Sequence, residues 1–133
     1  MKVKATLAAA TTILAVFAMF NGVASAHHGR AGYGTETKTV RGVVTEVRWV
    51  NPHVFLMFDV KDQSAKAVSW TGEFSSVATM LSEGMTKGSC KPGDEVIVTG
   101  TVAASGEPHS LVIKIQKADG SSSLDLSARR GVQ

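Results

Sequence analysis

The stretch "FSSVATMLSEGM", residues 74–85, decides the fold, because it is where the apolar period changes. Phe74, Val77, Ala78, Leu81 and Met85 recur at intervals of three and four, which predicts a short amphipathic helix with one packed face. Ser75 or Ser76 is placed to cap its start, and Gly84 to end it. On both sides of this stretch the period is two.

Upstream, "KTVRGVVTEVRWV" sets Val43, Val47 and Trp49 on one parity, with Arg41, Glu46 and Arg48 among the remaining positions, as in a half-buried strand. Asn51-Pro52 breaks it, since proline has no N–H for a ladder and biases its predecessor away from helix. "HVFLMFDV" then reads as a second strand, with Val54, Leu56, Phe58 and Val60 on one face and His53, Phe55, Met57 and Asp59 on the other. "KDQSAK" is a turn and "AVSWTGEF" a third strand, with Val68 and Trp70 in register, so the second and third strands form a hairpin.

Downstream of the helix, "CKPGDEVIVTGTVAA" supplies a Pro-Gly turn and a strand carrying Val96, Val98 and Val102, interrupted by Gly100. "SGEP" turns again, and "HSLVIKIQKA" is the last strand, with Leu111, Ile113 and Ile115 inward. Three strands, a helix and two strands is the order of a mainly β, five-stranded, OB-like Greek-key barrel, with one short helix between strands three and four. Gly42 and Gly100 fall where coiled strands tolerate or need a missing side chain. A five-stranded sandwich with a helical cap is the competing architecture.

The remaining segments frame this domain, residues 38–118. Residues 1–26 have basic Lys2 and Lys4, an apolar run from Leu7 to Phe20 and the triplet Ala24-Ser25-Ala26, the three-part pattern of a signal peptide rather than a membrane span. Residues 27–37 read as a flexible arm and 119–133 as a mobile tail rich in Ser, Gly and Arg. The expected location is the periplasm or the exterior, after cleavage near Ala26, with no membrane span left. Processing removes two lysines and no acid, leaving a formal net charge of +1 on 107 residues, enough for one core. No basic stripe remains, which argues against nucleic acid as partner.

The chain resembles a family of small exported bacterial proteins catalogued as a domain of unknown function. The residues that carry the resemblance are the signal peptide ending at "SAHH", "RWVNPHVFL" at 48–56, Trp70, and "KPGDEVIVTG" at 91–100. It spans nearly all of the mature domain. It departs at the helix, where the family has an Asn-rich or Arg-rich segment and this chain has "SSVATMLSEGM", so the resemblance carries no binding role to the helix surface. The likeness to other exported OB-type barrels, the haem chaperone of cytochrome c maturation among them, is one of fold, and fold does not fix function.

No catalytic motif is present: there is no G-x-S-x-G, H-E-x-x-H, C-x-x-C or G-x-x-x-x-G-K-[ST], and the acids Glu36, Glu46, Asp59, Asp62, Glu73, Asp94 and Glu95 are scattered at turns and strand edges. A non-enzymatic binding module is expected. The single Cys90 excludes an internal disulfide and, with no matched histidine base, reads as a small turn residue.

The four histidines carry the functional expectation. Cleavage after Ala26 gives His27 a free α-amine that chelates an ion together with its own ring, His28 or another imidazole completing the set. Such N-donor sites suit copper first among the divalent transition metals, although no cofactor is required by the sequence. His53 and His109 open strands two and five beside loops that flank one face of an OB barrel, which makes them candidate partners in that site. The plain alternative has His53 bonded to turn backbone, His109 on a solvated strand end and a floating terminus. A separate reading makes Trp49, Phe55, Met57 and Trp70 an apolar platform for a small ligand or an exported or membrane-bound protein, and the chain a metal-free interaction accessory.

Overall fold

The computed structural model describes residues 30–131; the expected signal peptide, His27 and His28 lie outside them. The protein is mainly β. Its strands are β1 (Tyr33–Trp49), β2 (Val54–Lys61), β3 (Ala67–Glu73), β4 (Glu95–Ala103), β5 (His109–Lys117) and β6 (Ser123–Asp125), with short helices α1 (Val77–Ser82) and α2 (Ser127–Arg130). One sheet runs β3-β2-β1-β4-β5-β6 with antiparallel neighbours. A parallel pairing of β3 with β5, from Thr71↔His109 to Glu73↔Leu111, joins the first five strands into a ring.

The length of β1 makes that ring possible. Its first part pairs with β4 and its last part with β2, so one strand serves two neighbours by bending. A bulge at Thr45 helps it bend, because Val44 faces Phe58 across the pair while Glu46 already faces Met57. Close approach also requires missing side chains. A Cβ on Gly42 would lie 2.6 Å from the Asp59 carbonyl oxygen, and one on Gly100 2.7 Å from that of Leu111.

The interior is filled from β2 (Val54, Leu56, Phe58), β4 (Val96, Val98), β5 (Val112, Ile115) and Val44 of β1. Phe74, Met80 and Met85 close it from the α1 segment. With only six residues α1 is too short to persist alone, so its packing holds it. Ser76 caps it by accepting a hydrogen bond from the Thr79 N–H at 3.2 Å, and Gly84 follows its C-cap with φ +86°.

The structure alters several sequence expectations. The bulge reverses parity within β1, so Val44 is buried and Val43 is exposed, while Val47 and Trp49 still pack on the core. A second irregularity, which leaves Ile113 between the partners of Thr99 and Gly100, puts Val112 in the core cluster; Leu111 and Ile113 are buried outside it. On α1 it is Met80 that is buried, and Leu81 is 53% exposed. The arm expected over 27–37 already contains the start of β1. The tail expected over 119–133 contains β6 and α2, anchored by Leu126, whose side chain joins the core and whose N–H donates to the Ile113 carbonyl at 2.7 Å.

Candidate functional site

The seam between β3 and β5 brings four strand ends together. Thr71 N–H donates to the Pro108 carbonyl at 2.9 Å, which sets His109 beside β3 at the start of β5. The β2–β3 hairpin register pairs Phe55 with Glu73, so Glu73 emerges next to His53, just before β2. The Asn51-Pro52 bond that leads into His53 is cis. β1 begins at Tyr33, whose side chain reaches the same place.

Glu73 is the hub. One carboxylate oxygen, Oε1, lies 2.6 Å from His53 Nδ1. The other, Oε2, accepts the Tyr33 hydroxyl at 2.5 Å and lies 3.5 Å from His109 Nε2. Burial first, and then the bond to Glu73 and its charge, push the Tyr33 phenol well above its ordinary range, so it remains a donor. With that single proton committed to Glu73, His109 Nε2, 2.8 Å from the phenol oxygen, acts as the donor to it. The two rings meet edge to face, centroids 5.6 Å apart.

Arg130 approaches from the C-terminal side. Its Nε donates to the Val112 carbonyl at 3.2 Å, and Arg30 donates to the Arg130 carbonyl. Its buried Nη2 has no hydrogen-bond partner among the described residues. Burial first, and then the like charge of Arg30, lower its pKa, and the nearby Glu73 and Tyr33 oppose that shift, so the guanidinium charge bears on the cluster.

His53 and His109 therefore touch one carboxylate. Among the described residues, no group of three or more His, Cys, Asp and Glu side chains is arranged to hold a metal ion. His27 and His28 fall outside the described residues. The four apolar candidates are not brought to one face. Trp49 pairs with buried Val54 and Trp70 with buried Phe58, so both tryptophans pack on the core. Phe55 and Met57 stay half-buried on the outer face, Phe55 with its ring centroid 6.4 Å from that of His53.

Sequence reasoning missed Glu73, Tyr33 and Arg130. The turn centred in "KDQSAK" already implies that residue 73 pairs with residue 55, which was the available signal for Glu73. Tyr33 and Arg130 lie in segments without period and gave none.

Among the described residues no helix is long and apolar enough to cross a membrane. A search of curated proteins found no match. A family model described as a family of unknown function (DUF6152) matches residues 15–122, a span that includes Tyr33, His53, Glu73 and His109 and stops before Arg130, and the chain belongs to that family.

Proposed function

We propose that this is an exported, non-enzymatic binding module that takes a divalent transition-metal ion, copper first, at the mature N-terminus. The α-amine and imidazole of His27 begin the chelate, His28 adds a second ring, and an imidazole from the β3–β5 seam completes it. One observation carries this reading: the Tyr33 phenol is bonded into the cluster that holds His53 and His109. The chain before Tyr33 thus sets out from that cluster. His28 is five residues upstream, a span of at most about 18 Å at ~3.6 Å per residue, which brings it within reach of either imidazole. The finer description of the domain as an OB-like Greek-key barrel belongs to the same proposal, supported by the ring of five strands and by α1 between the third and fourth. So does a periplasmic or secreted location, supported by the signal-like residues 1–26.

Protein beginning at His27 is expected to bind Cu(II) far more tightly than a surface-histidine control protein. One extra residue before His27 moves the amine out of the chelate and is expected to abolish that difference. Binding no tighter than the control would sink the reading.

The metal-free alternative, a protein-interaction accessory, keeps one observation in its favour: Phe55 and Met57 remain half-buried together on the outer face of β2. It predicts no copper preference and loss of a captured periplasmic partner in Phe55→Ser.

A further inference from the structure

We propose that the cavity beside Trp49, between the end of β1 and the loop leading into β4, binds a small dianion on an apolar body, with a phosphate monoester as the class that fits. The site uses neither the seam cluster nor a metal ion, so it stands or falls apart from the copper reading.

Two stretches far apart in the chain meet here. "RWVNPHVFL" supplies Trp49 and "KPGDEVIVTG" supplies Lys91 and Pro92, and with Glu46, Val47 and Lys87 they line an open cavity of about 380 Å³. That volume lies within the range of small-ligand pockets.

The backbone around the cavity is held. The turn over residues 91–94 is docked on β1: Gly93 N–H donates to the Val44 carbonyl at 2.8 Å, and Val44 N–H to the Asp94 carbonyl at 2.9 Å. The turn that carries Lys87 is closed by Thr86 N–H donating to Ser89 Oγ at 2.9 Å and Ser89 N–H to the Thr86 carbonyl at 3.0 Å. Both lysines start from fixed positions, so a ligand has only their side chains to order.

The charge around the cavity is unbalanced in one direction. Its acid, Glu46, is already engaged by Arg48, which donates from Nε at 2.7 Å and from Nη2 at 2.9 Å. Asp94 feels the Lys91 charge, but its carboxylate is taken by Lys117 Nζ at 3.0 Å and by the Lys91 backbone N–H at 2.9 Å. Among the described residues neither Lys87 nor Lys91 forms an ion pair. Trp49 adds an apolar ring and an indole N–H that is buried without a hydrogen-bond partner among the described residues, a costly and uncommon condition for a donor. Two unpaired ammonium groups, a spare donor and the apolar Val47 and Pro92 call for an acceptor-rich anion with an apolar part. A phosphate ester carries about −1.5 to −2 at neutral pH and so balances both lysines, where a carboxylate balances one.

Nitrogen-15 NMR of protein beginning at His27 tests this. The chain has two tryptophans and so two indole N–H signals, and Trp49→Phe identifies which is which. Titrated phenyl phosphate is expected to move the Trp49 signal saturably and to leave that of Trp70 in place. Lys87→Gln and Lys91→Gln should each weaken binding about two- to fivefold, as for exposed ion pairs, and the double variant about tenfold. Both lysines are exposed, so these variants keep the fold. Benzoate should bind more weakly than phenyl phosphate, and uncharged benzyl alcohol should leave the signal unmoved. A Trp49 signal that phenyl phosphate does not move overturns the proposal, as do equal shifts with benzyl alcohol or unchanged affinity in the double lysine variant.

Discussion

The two ends of β5 carry polar clusters that treat their charges differently. At the Lys117 end, the Asp94 carboxylate receives Lys117 Nζ at 3.0 Å and the Lys91 N–H at 2.9 Å. The bond from Lys117 first, and the turn N–H second, hold Asp94 below the usual carboxylate range. Arg41 and Glu95 pair beside it at 2.9 Å. These four charges meet as two opposite pairs, and the "KPGD" turn is pinned by local bonds. At the His109 end, one carboxylate faces two imidazoles and a phenol, and the buried Arg130 Nη2 has no hydrogen-bond partner among the described residues. The first cluster is complete in itself and serves the fold. The second, among the described residues, does not close on itself.

The widest break in this contrast comes from the core that both ends share. Phe58 is fully buried between them, and Phe58→Ala is expected to destabilise the protein by about 3–5 kcal/mol, read from urea unfolding. Both clusters should melt together in that variant. If the seam cluster alone loosened, the two ends would be separate cooperative units rather than parts of one ring. Gly42→Ala is the smaller perturbation. Its new Cβ meets backbone at 2.6 Å and the Phe58 ring at 2.8 Å, so a loss of about 1–3 kcal/mol is expected, again at both ends.

These shared positions also explain how far the sequence could be read. β2 was legible because it alternates without interruption, and Val54, Leu56 and Phe58 are buried as its period says. β1 and β5 have the same kind of pattern, but each contains an extra residue, Thr45 or Ile113, that reverses parity part-way along. A bulge is a property of two paired strands, and a single strand's sequence does not announce it. The helix was found, yet its buried residue is Met80, because contact with the ring and not the residue's place in a stripe decides which side is covered. For the site, the positions of His53 and His109 beside neighbouring loops were readable. Their meeting on Glu73 depends on the parallel β3–β5 seam, a contact between segments far apart in the chain.

Acid separates the ends next. Asp94 has a folded pKa below its ordinary 3.8, so its contribution to stability is fully present above that value and is lost as pH falls through the lowered one. Asp94→Asn is expected to flatten the stability–pH curve in that acid window and to leave the histidine NMR signals of the seam cluster unshifted at neutral pH. Movement of the His53 or His109 signals in that variant would mean the clusters communicate along β5.

The smallest expected effect lies at Cys90, which belongs to the completed end. Burial first, then the charge of Asp94, push its thiol above the ordinary value of 9.0, and Lys117 opposes them. At pH 8 the folded protein therefore holds a buried, protonated thiol, and only a thiolate attacks a disulfide reagent. Labelling should proceed through the transiently opened molecule and speed up in urea in step with the unfolded fraction. Asp94→Asn removes the Lys117–Asp94 ion pair that helps hold this end closed, and a modest acceleration of labelling through easier opening is expected from it. Labelling of the folded, unaltered protein at the rate of a free thiol would show that this end is open as well, and the distinction between a cluster that closes on itself and one that leaves a buried guanidinium nitrogen without a partner among the described residues would fail.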